Sequence, residues 1–373
     1  MAYDFPASPT PGQTFNNYVW DGEKWKLQSP PVTGAVRYDI AQGLNPTQKS
    51  QARANIDVAK KNYIINGAMQ VSQENGQTLG TVTAGVTYYP ADMFAVFSSS
   101  AGTLTTQQIP TYSLESGAIN RLKITVTVAD TSIGTTDQIQ ICQKLEGQRI
   151  SDLGFGFSLA RTVTLQFGVR APAGTYCVSL SNGAGNRTYI AEYVITAGEA
   201  NTDVKRSVTI PGDVTGTWDV SNGAGINVLW SLMCGNTYQQ AGGVWGTTSF
   251  AMATANQFNL IGTVGNTFHL FDVSLTEGSV APPFGVTDYA SELALCRRYW
   301  ERTGMVTTSS IATNFPTGFW TVEKRAVPTL TFSVDTGTGA TYAVTNSALG
   351  KSFYQNAAHS SIATATITGN ARL

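Results

Sequence analysis

The sequence predicts a mainly β protein, with a β-sandwich preceded by a short helix and followed by a small C-terminal β domain. Three observations carry this. Only 13 % of residues are charged while Gly numbers 37, and Thr, Ser and Asn recur throughout, a balance suited to many turns and polar strand faces. Between residues 63 and 284, runs that alternate or are β-branched are separated by turn clusters at the spacing of a sandwich. Helical signals are short, lying after Asn45, around Ile150–Leu153 and from Asp288.

A chain of 373 residues has room for two or three domains. Its formal net charge of −1 provides no general attraction to nucleic acid or to an anionic membrane, so neither partner is expected. No apolar run approaches the length of a membrane span, and MAYDFPASPTPG lacks the basic and apolar regions of a signal peptide. Cys142, Cys177, Cys234 and Cys296 are far apart, with only two histidines to help. Buried free thiols are expected, with neither a metal site nor a cofactor.

Taken in order, Pro6, Pro9 and Pro11 keep the first residues extended. In YVWDGEKWKL, Asp21-Gly22 signals a turn flanked by Tyr18, Trp20 and Trp25, which predicts a hairpin with aromatic cross-strand contacts. Those rings need a surface to cover them: either a docking partner or the stem that follows. Pro30-Pro31 marks a linker. Asn45 then fits an N-cap, Pro46 the first helical position and Gln48 a capping-box partner. The helix would extend roughly 15 Å, with little apolar surface beyond Leu44, Ala52 and Ile56. So short and polar a helix is marginal alone. Periodicity fits either a stem packing copies around an axis or a helix lying on its own domain.

Sandwich strands are expected at Arg121–Val128, Asp137–Gln143, Arg161–Val169, Gly174–Leu180, Tyr189–Ile195, Lys205–Ile210, Ile226–Leu232, Phe258–Val264 and Phe268–Leu275. Ser181–Asn186 and Ser221–Ile226 share a Ser-Asn-Gly-Ala-Gly core and are expected as hairpin turns. Neither is followed by the helix or the Gly-Lys-Ser/Thr of a phosphate loop. A helix over Asp288–Trp300 has the stripe Tyr289, Leu293, Cys296 and Trp300, with Gly304 to end it. Strands follow at Met305–Ala312, Gly318–Val322, Thr329–Val334, Thr341–Thr345 and Ile362–Thr368.

The carboxylates show no spacing that selects a catalytic pair, and there is no Gly-x-Ser-x-Gly elbow or His-Glu-x-x-His. No catalytic residue and no enzymatic activity are therefore expected. Sugar binding needs less: aromatic faces for pyranose rings, with amides and carboxylates for the hydroxyl groups. NTYQQAGGVWGTTSF offers Asn236, Tyr238, Gln239, Gln240 and Trp245, and Trp218, Asp219 and Asn222 form a second group. The alternative is that Trp218 and Trp245 fill the sandwich. Distal candidates are Phe315, Phe319, Trp320, Phe353 and Tyr354.

LNPTQKSQARANI followed by NYIINGAMQVSQENG resembles the neck segment of tailed-bacteriophage tail fibres. The match lies at Asn62, Ile65, Asn66, Gly67, Met69, Val71 and Gln73; Glu74 replaces the family's usual Arg. QKLEGQRISDLGFG, TVTLQFGVRAPAGTYCVSL, FHLFDVSLTEGSVAPPF, ELALCRRYW and KRAVPTLTF are also similar to fibre segments. The resemblance implies a fibrous homotrimer with a jelly-roll-like sandwich akin to carbohydrate-binding modules. Its parts would be an attachment arm at 1–35, a neck at 36–62, the sandwich at 63–284, a connecting helix at 285–304 and a tip at 305–373. Residues Leu44, Ala52 and Ile56 would trimerise the neck, and Tyr18, Trp20 and Trp25 would dock on a virion tail or baseplate protein. Such a receptor-binding protein would attach the virion to a host-surface polysaccharide, having been made in the host cytoplasm. The alternatives are a head or collar fibre without receptor contact and a tailspike-like depolymerase.

Overall fold

The computed structural model describes residues 5–16, 18–27, 48, 52, 61–307, 315–336, 344–346, 352–355 and 363–373. The chain divides into two compact units, Met1–Val58 and Ala59–Leu373.

In the first unit, β1 (Thr14–Phe15), β2 (Tyr18–Trp20) and β3 (Trp25–Leu27) form an antiparallel sheet. The predicted hairpin is present, with Trp20 opposite Trp25 and an added strand. Asp21 builds its turn by accepting the Glu23 and Lys24 N–H groups at 2.9 and 2.8 Å and pairing with Lys26 at 2.7 Å. Lys26 first, then those amides, hold its carboxyl well below the usual carboxylate range. Phe5 stacks on Trp25 at 5.2 Å and meets Tyr18 edge-on at 5.2 Å. Gln48 and Ala52 are helical, in agreement with the helix signal after Asn45; Leu44 and Ile56 lie outside the described residues.

The second unit opens with strands β4 (Gly80–Val82), β5 (Thr87–Ala91), β6 (Phe94–Ser98) and β7 (Thr103–Pro110), none of them predicted. Next come β8 (Asn120–Val128), β9 (Gln138–Glu146), β10 (Val163–Arg170), β11 (Gly174–Asn182), β12 (Thr188–Ile195) and β13 (Val204–Ile210). The sandwich ends with β14 (Ala224–Cys234), β15 (Trp245–Gly246) and β16 (Thr267–Glu277). Two antiparallel sheets result, ordered β13-β10-β16-β8-β7-β4 and β15-β12-β11-β14-β9-β6-β5. Alternation sends Ile139, Ile141 and Leu145 of β9 inward, with Val228, Trp230 and Leu232 of β14. Trp230 sits at the centre, edge-on to Phe167 at 5.8 Å. The strand expected at Phe258–Val264 is instead a loop with a 3₁₀ turn at Leu260–Gly262, whose Leu260 and Ile261 plug the core. Ser181–Asn186 makes the β11–β12 hairpin, but Ser221–Ile226 leads into β14 and is shaped by Asp219, which accepts the Ser221 N–H at 2.6 Å.

The segment Asn62–Gln70, for which the resemblance to the fibre neck implies a strand, is a buried run of turns. Its amide side chains replace a ladder. Asn62 Oδ1 accepts the Leu275 N–H at 3.0 Å, while Asn66 donates to the Val71 and Asp92 carbonyls at 2.7 and 2.9 Å and accepts the Val71 N–H at 2.9 Å. Asn66 has φ 59°, a region Asn tolerates. At Gly67 any Cβ would collide with the Val273 carbonyl, so the backbone pairs there only as glycine.

After the sandwich, a helix spans Tyr289–Arg297, capped by Asp288, which accepts the Ser291 N–H at 3.0 Å. It is shorter than predicted. Tyr289 is 53 % exposed, Trp300 begins a strand, and Gly304 lies inside that strand. The buried face is Glu292, Leu293 and Cys296 with Tyr299 beyond, packed on Ile65, Val71 and Met93. Strands β17 (Trp300–Thr307), β18 (Phe315–Phe319), β19 (Thr329–Thr336), β20 (Val344–Asn346), β21 (Ser352–Gln355) and β22 (Ala363–Asn370) form the sheets β17-β22-β19 and β18-β21-β20. All four cysteines are buried and free. Among the described residues, no helix is long and apolar enough to cross a membrane.

Candidate functional site

The outer face of the seven-stranded sheet carries the residues that alternate with the core. Register sets them in rows: Phe97–Gln140–Ser231–Cys177, Ala95–Cys142–Leu229–Ser179, and Lys144–Asn227–Ser181. Two cavities lie over these rows. One, of ≈ 300 Å³, is bounded by Tyr89, Met93, Phe97, Arg372 and Leu373. The other, of ≈ 350 Å³, is bounded by Asn227, Leu229, Tyr238, Phe250 and Met252. They share Gln140, Cys142 and Lys144 and so are two halves of one groove across the strands.

Each wall has a local cause. The chain after β14 folds back so that Met252 N–H reaches the Tyr238 carbonyl at 2.8 Å. Ala251, Met252 and Ala253 then pack on Cys177, Ile190 and Cys234, with Leu229 and Tyr238 alongside. Phe250 N–H bonds the Gly185 carbonyl at 2.7 Å, and its ring, 54 % exposed, lies over Gly185 where a Cβ would collide. That close approach explains one glycine of the Ser181–Asn186 turn. At the other end the Arg372 guanidinium stacks 3.7 Å from the centre of the Tyr89 ring and pairs with Glu74 at 2.6 Å.

The floor is polar and partly unsatisfied. Asn227, 6 % exposed, donates to Ser181 Oγ at 3.2 Å and to the Asn182 carbonyl at 3.0 Å, while its Oδ1 has no hydrogen-bond partner among the described residues. Gln140 Oε1 and Ser179 Oγ are in the same position. Buried polar atoms left unpaired cost about 1–3 kcal/mol each, so water or a ligand hydroxyl gains by reaching them. Burial pushes the Cys142 thiol up to about 12, which keeps it protonated and a poor nucleophile. Among the described residues, no Asp or Glu side chain lines either half of the groove. Aromatic edges over a floor of free amide and hydroxyl atoms suit a polyhydroxylated chain lying across the strands.

Of the residues singled out in the sequence, Tyr238 lines this groove. Asn236 and Gln239 line a separate hollow of ≈ 340 Å³ beside Cys234 and Asn259. Trp218 offers no open face. It is 6 % exposed, edge-on to Phe155 at 4.8 Å and Trp245 at 5.5 Å, and its Nε1 donates to the Thr215 carbonyl at 3.1 Å. Trp245 packs on the same cluster and donates to the Pro211 carbonyl at 2.9 Å. Asp219 shapes its own turn. Asn222 exchanges hydrogen bonds with the Arg325 backbone and side chain, both at 2.8 Å, and thereby ties the sandwich to the terminal strands. Trp320 is 7 % exposed against Phe353, 4.9 Å between ring centres. Tyr354 belongs to β21, and its side chain lies outside the described residues.

Sequence reasoning missed Tyr89, Phe97, Gln140, Lys144, Asn227 and Phe250. Alternation along Gln138-Ile-Gln-Ile-Cys-Gln-Lys144 marks Gln140 and Lys144 as outward, but only the strand order sets them beside Phe97 and Asn227.

No family model and no curated protein matches the chain. Solved structures do so at low similarity. The enzymatically active domain of bacteriophage CBA120 tailspike protein 4 is 11 % identical, over 58 % of this chain and 21 % of that one, with a TM-score of 0.28. This chain thus spans about a fifth of the tailspike chain. The module TmCBM61, solved in complex with β-1,4-galactotriose, is 12 % identical over 58 % of this chain and 99 % of that one, TM-score 0.28. A family 11 carbohydrate-binding module of a Clostridium thermocellum cellulosomal cellulase is 10 % identical over 57 % and 97 %, TM-score 0.27.

Proposed function

We propose that this chain is a non-catalytic receptor-binding protein of the tail-fibre type, which holds a tailed-phage virion to a host-surface glycan through the groove on its seven-stranded sheet. The observation that carries the glycan part is the union of aromatic edges at Tyr89, Phe97, Tyr238 and Phe250 with unpaired floor atoms at Gln140 and Asn227. Hydroxyl groups of a sugar would hydrogen-bond the polar side chains that line this floor, Gln140 and Lys144 among them, while its ring faces cover the aromatic edges. The virion part is supported by the resemblance of the neck and of the strand closing at Phe284 to tail fibres. It brings with it a homotrimer, presenting three grooves and turning weak single-site affinity into avidity.

The test uses the purified full chain: binding to surface polysaccharides from candidate hosts, its oligomer mass, and release of reducing ends from bound polymer. Trimeric protein that binds polymer without cleaving it supports the reading. A monomer that binds no polysaccharide would falsify it, and reducing ends would move it to the depolymerase alternative.

A further inference from the structure

The groove is not electrically neutral. Lys144, at the point common to its two halves, is exposed, and its ammonium makes no hydrogen bond or ion pair among the described residues. Arg372, at one end, has a side chain only 8 % exposed; Glu74 takes its Nη1, and its Nη2 has no hydrogen-bond partner among the described residues. Arg372 is thus already paired, whereas the acids nearest Lys144 are engaged elsewhere. Glu146, two residues beyond Lys144 on β9, is held by Arg298 at 2.6 and 2.9 Å, and Glu192 on β12 accepts from Thr254 and, at 3.0 Å, from Asn256. Lys144 is thus an unpaired cation at the centre of a channel that no Asp or Glu side chain lines among the described residues.

Resting on the glycan reading above, we infer that the polymer taken by this groove is anionic, carrying carboxylate, sulfate or phosphate substituents, with one such group on Lys144. A neutral sugar would cover Lys144 and strip its water without replacing the charge contact, whereas an anion satisfies the ammonium. The walls of the groove also exclude part of the surrounding solvent, so the pairing is less screened than on an open surface.

The experiment measures binding of the full chain to polygalacturonate, alginate, polysialic acid and dextran sulfate, each beside its carboxyl-reduced or desulfated parent, at low and high salt. At least one acidic polymer is expected to bind about tenfold more tightly than its neutral parent, with the difference shrinking in high salt. Lys144→Gln is expected to remove about that tenfold while leaving the fold intact, because the side chain is exposed; Lys144→Arg is expected to keep it. Carboxylate-bearing and sulfate-bearing arms distinguish the source of the charge. Equal binding of an acidic polymer and its parent, or a preference untouched by Lys144→Gln, overturns the inference and leaves the glycan reading standing. Binding of no polymer, acidic or neutral, overturns both.

Discussion

Glu146 and Arg298 join the last residue of β9 to the end of the helix that follows the sandwich, both guanidinium arms meeting the carboxylate and the Tyr299 hydroxyl adding a third bond at 3.0 Å. The carboxylate is 4 % exposed and the guanidinium 28 %. Glu146→Ala is expected to cost about 2 kcal/mol, less than the loss from a fully enclosed pair because Arg298 keeps some water. Urea unfolding of the full chain measures the cost. Hydrogen exchange should show the loss concentrated in Tyr289–Arg297 and β17, and uniform protection loss across the sandwich would contradict this account.

Lys324 and Glu301 form the more enclosed pair, both side chains 1 % exposed at 2.5 Å. Lys324→Met leaves Glu301 with Thr321 as its remaining partner and should cost about 3–5 kcal/mol. Replacing both residues by apolar ones of similar volume should recover most of that loss. A double-mutant cycle in urea decides it, and simple additivity would mean the pair is not coupled.

Trp218 and Phe97 separate packing from recognition. Trp218→Ala should lower stability by about 3–5 kcal/mol while the folded protein still binds glycan. Phe97→Ala should change stability far less and weaken glycan binding about tenfold. Calorimetric melting and titration of the same two variants check both, and the reverse pattern would place recognition at the Trp218 cluster.

Acid should weaken the fold through His269. Burial first, then Arg121, Lys123 and Arg170, push its imidazole down to about 4 from 6.5. The unfolded chain takes up a proton as pH falls through 6.5, whereas the folded chain does not until near 4. Stability therefore declines across that window, by up to about 3 kcal/mol, and this contribution is flat below it. His269→Gln should flatten the slope between pH 6.5 and 4. An unchanged slope would assign it to other groups.

What could be read from the sequence follows the physics of each segment. Strands from β8 to β14 and β16 were legible because one face of each is apolar and turn residues separate them. β4 to β7 were not, since GTVTAGVTYYPADMFAVFSSSAGTLTTQQIP interleaves short strands with polar turns. The resemblance to the fibre neck implied a strand at Asn62–Gln70, but Asn62 and Asn66 supply with side chains the bonds that a ladder would supply with backbone. The site was least legible. Tryptophans attracted attention, yet Trp218 lies inside, and the groove depends on strands distant in sequence being neighbours.

One end of the groove is set by Arg372 and Leu373, while its floor is laid down by β9 and β14. A change at Arg372 would therefore reshape the half-channel at Tyr89 and leave the half-channel at Tyr238 and Phe250 as it is, so the two can be altered one at a time.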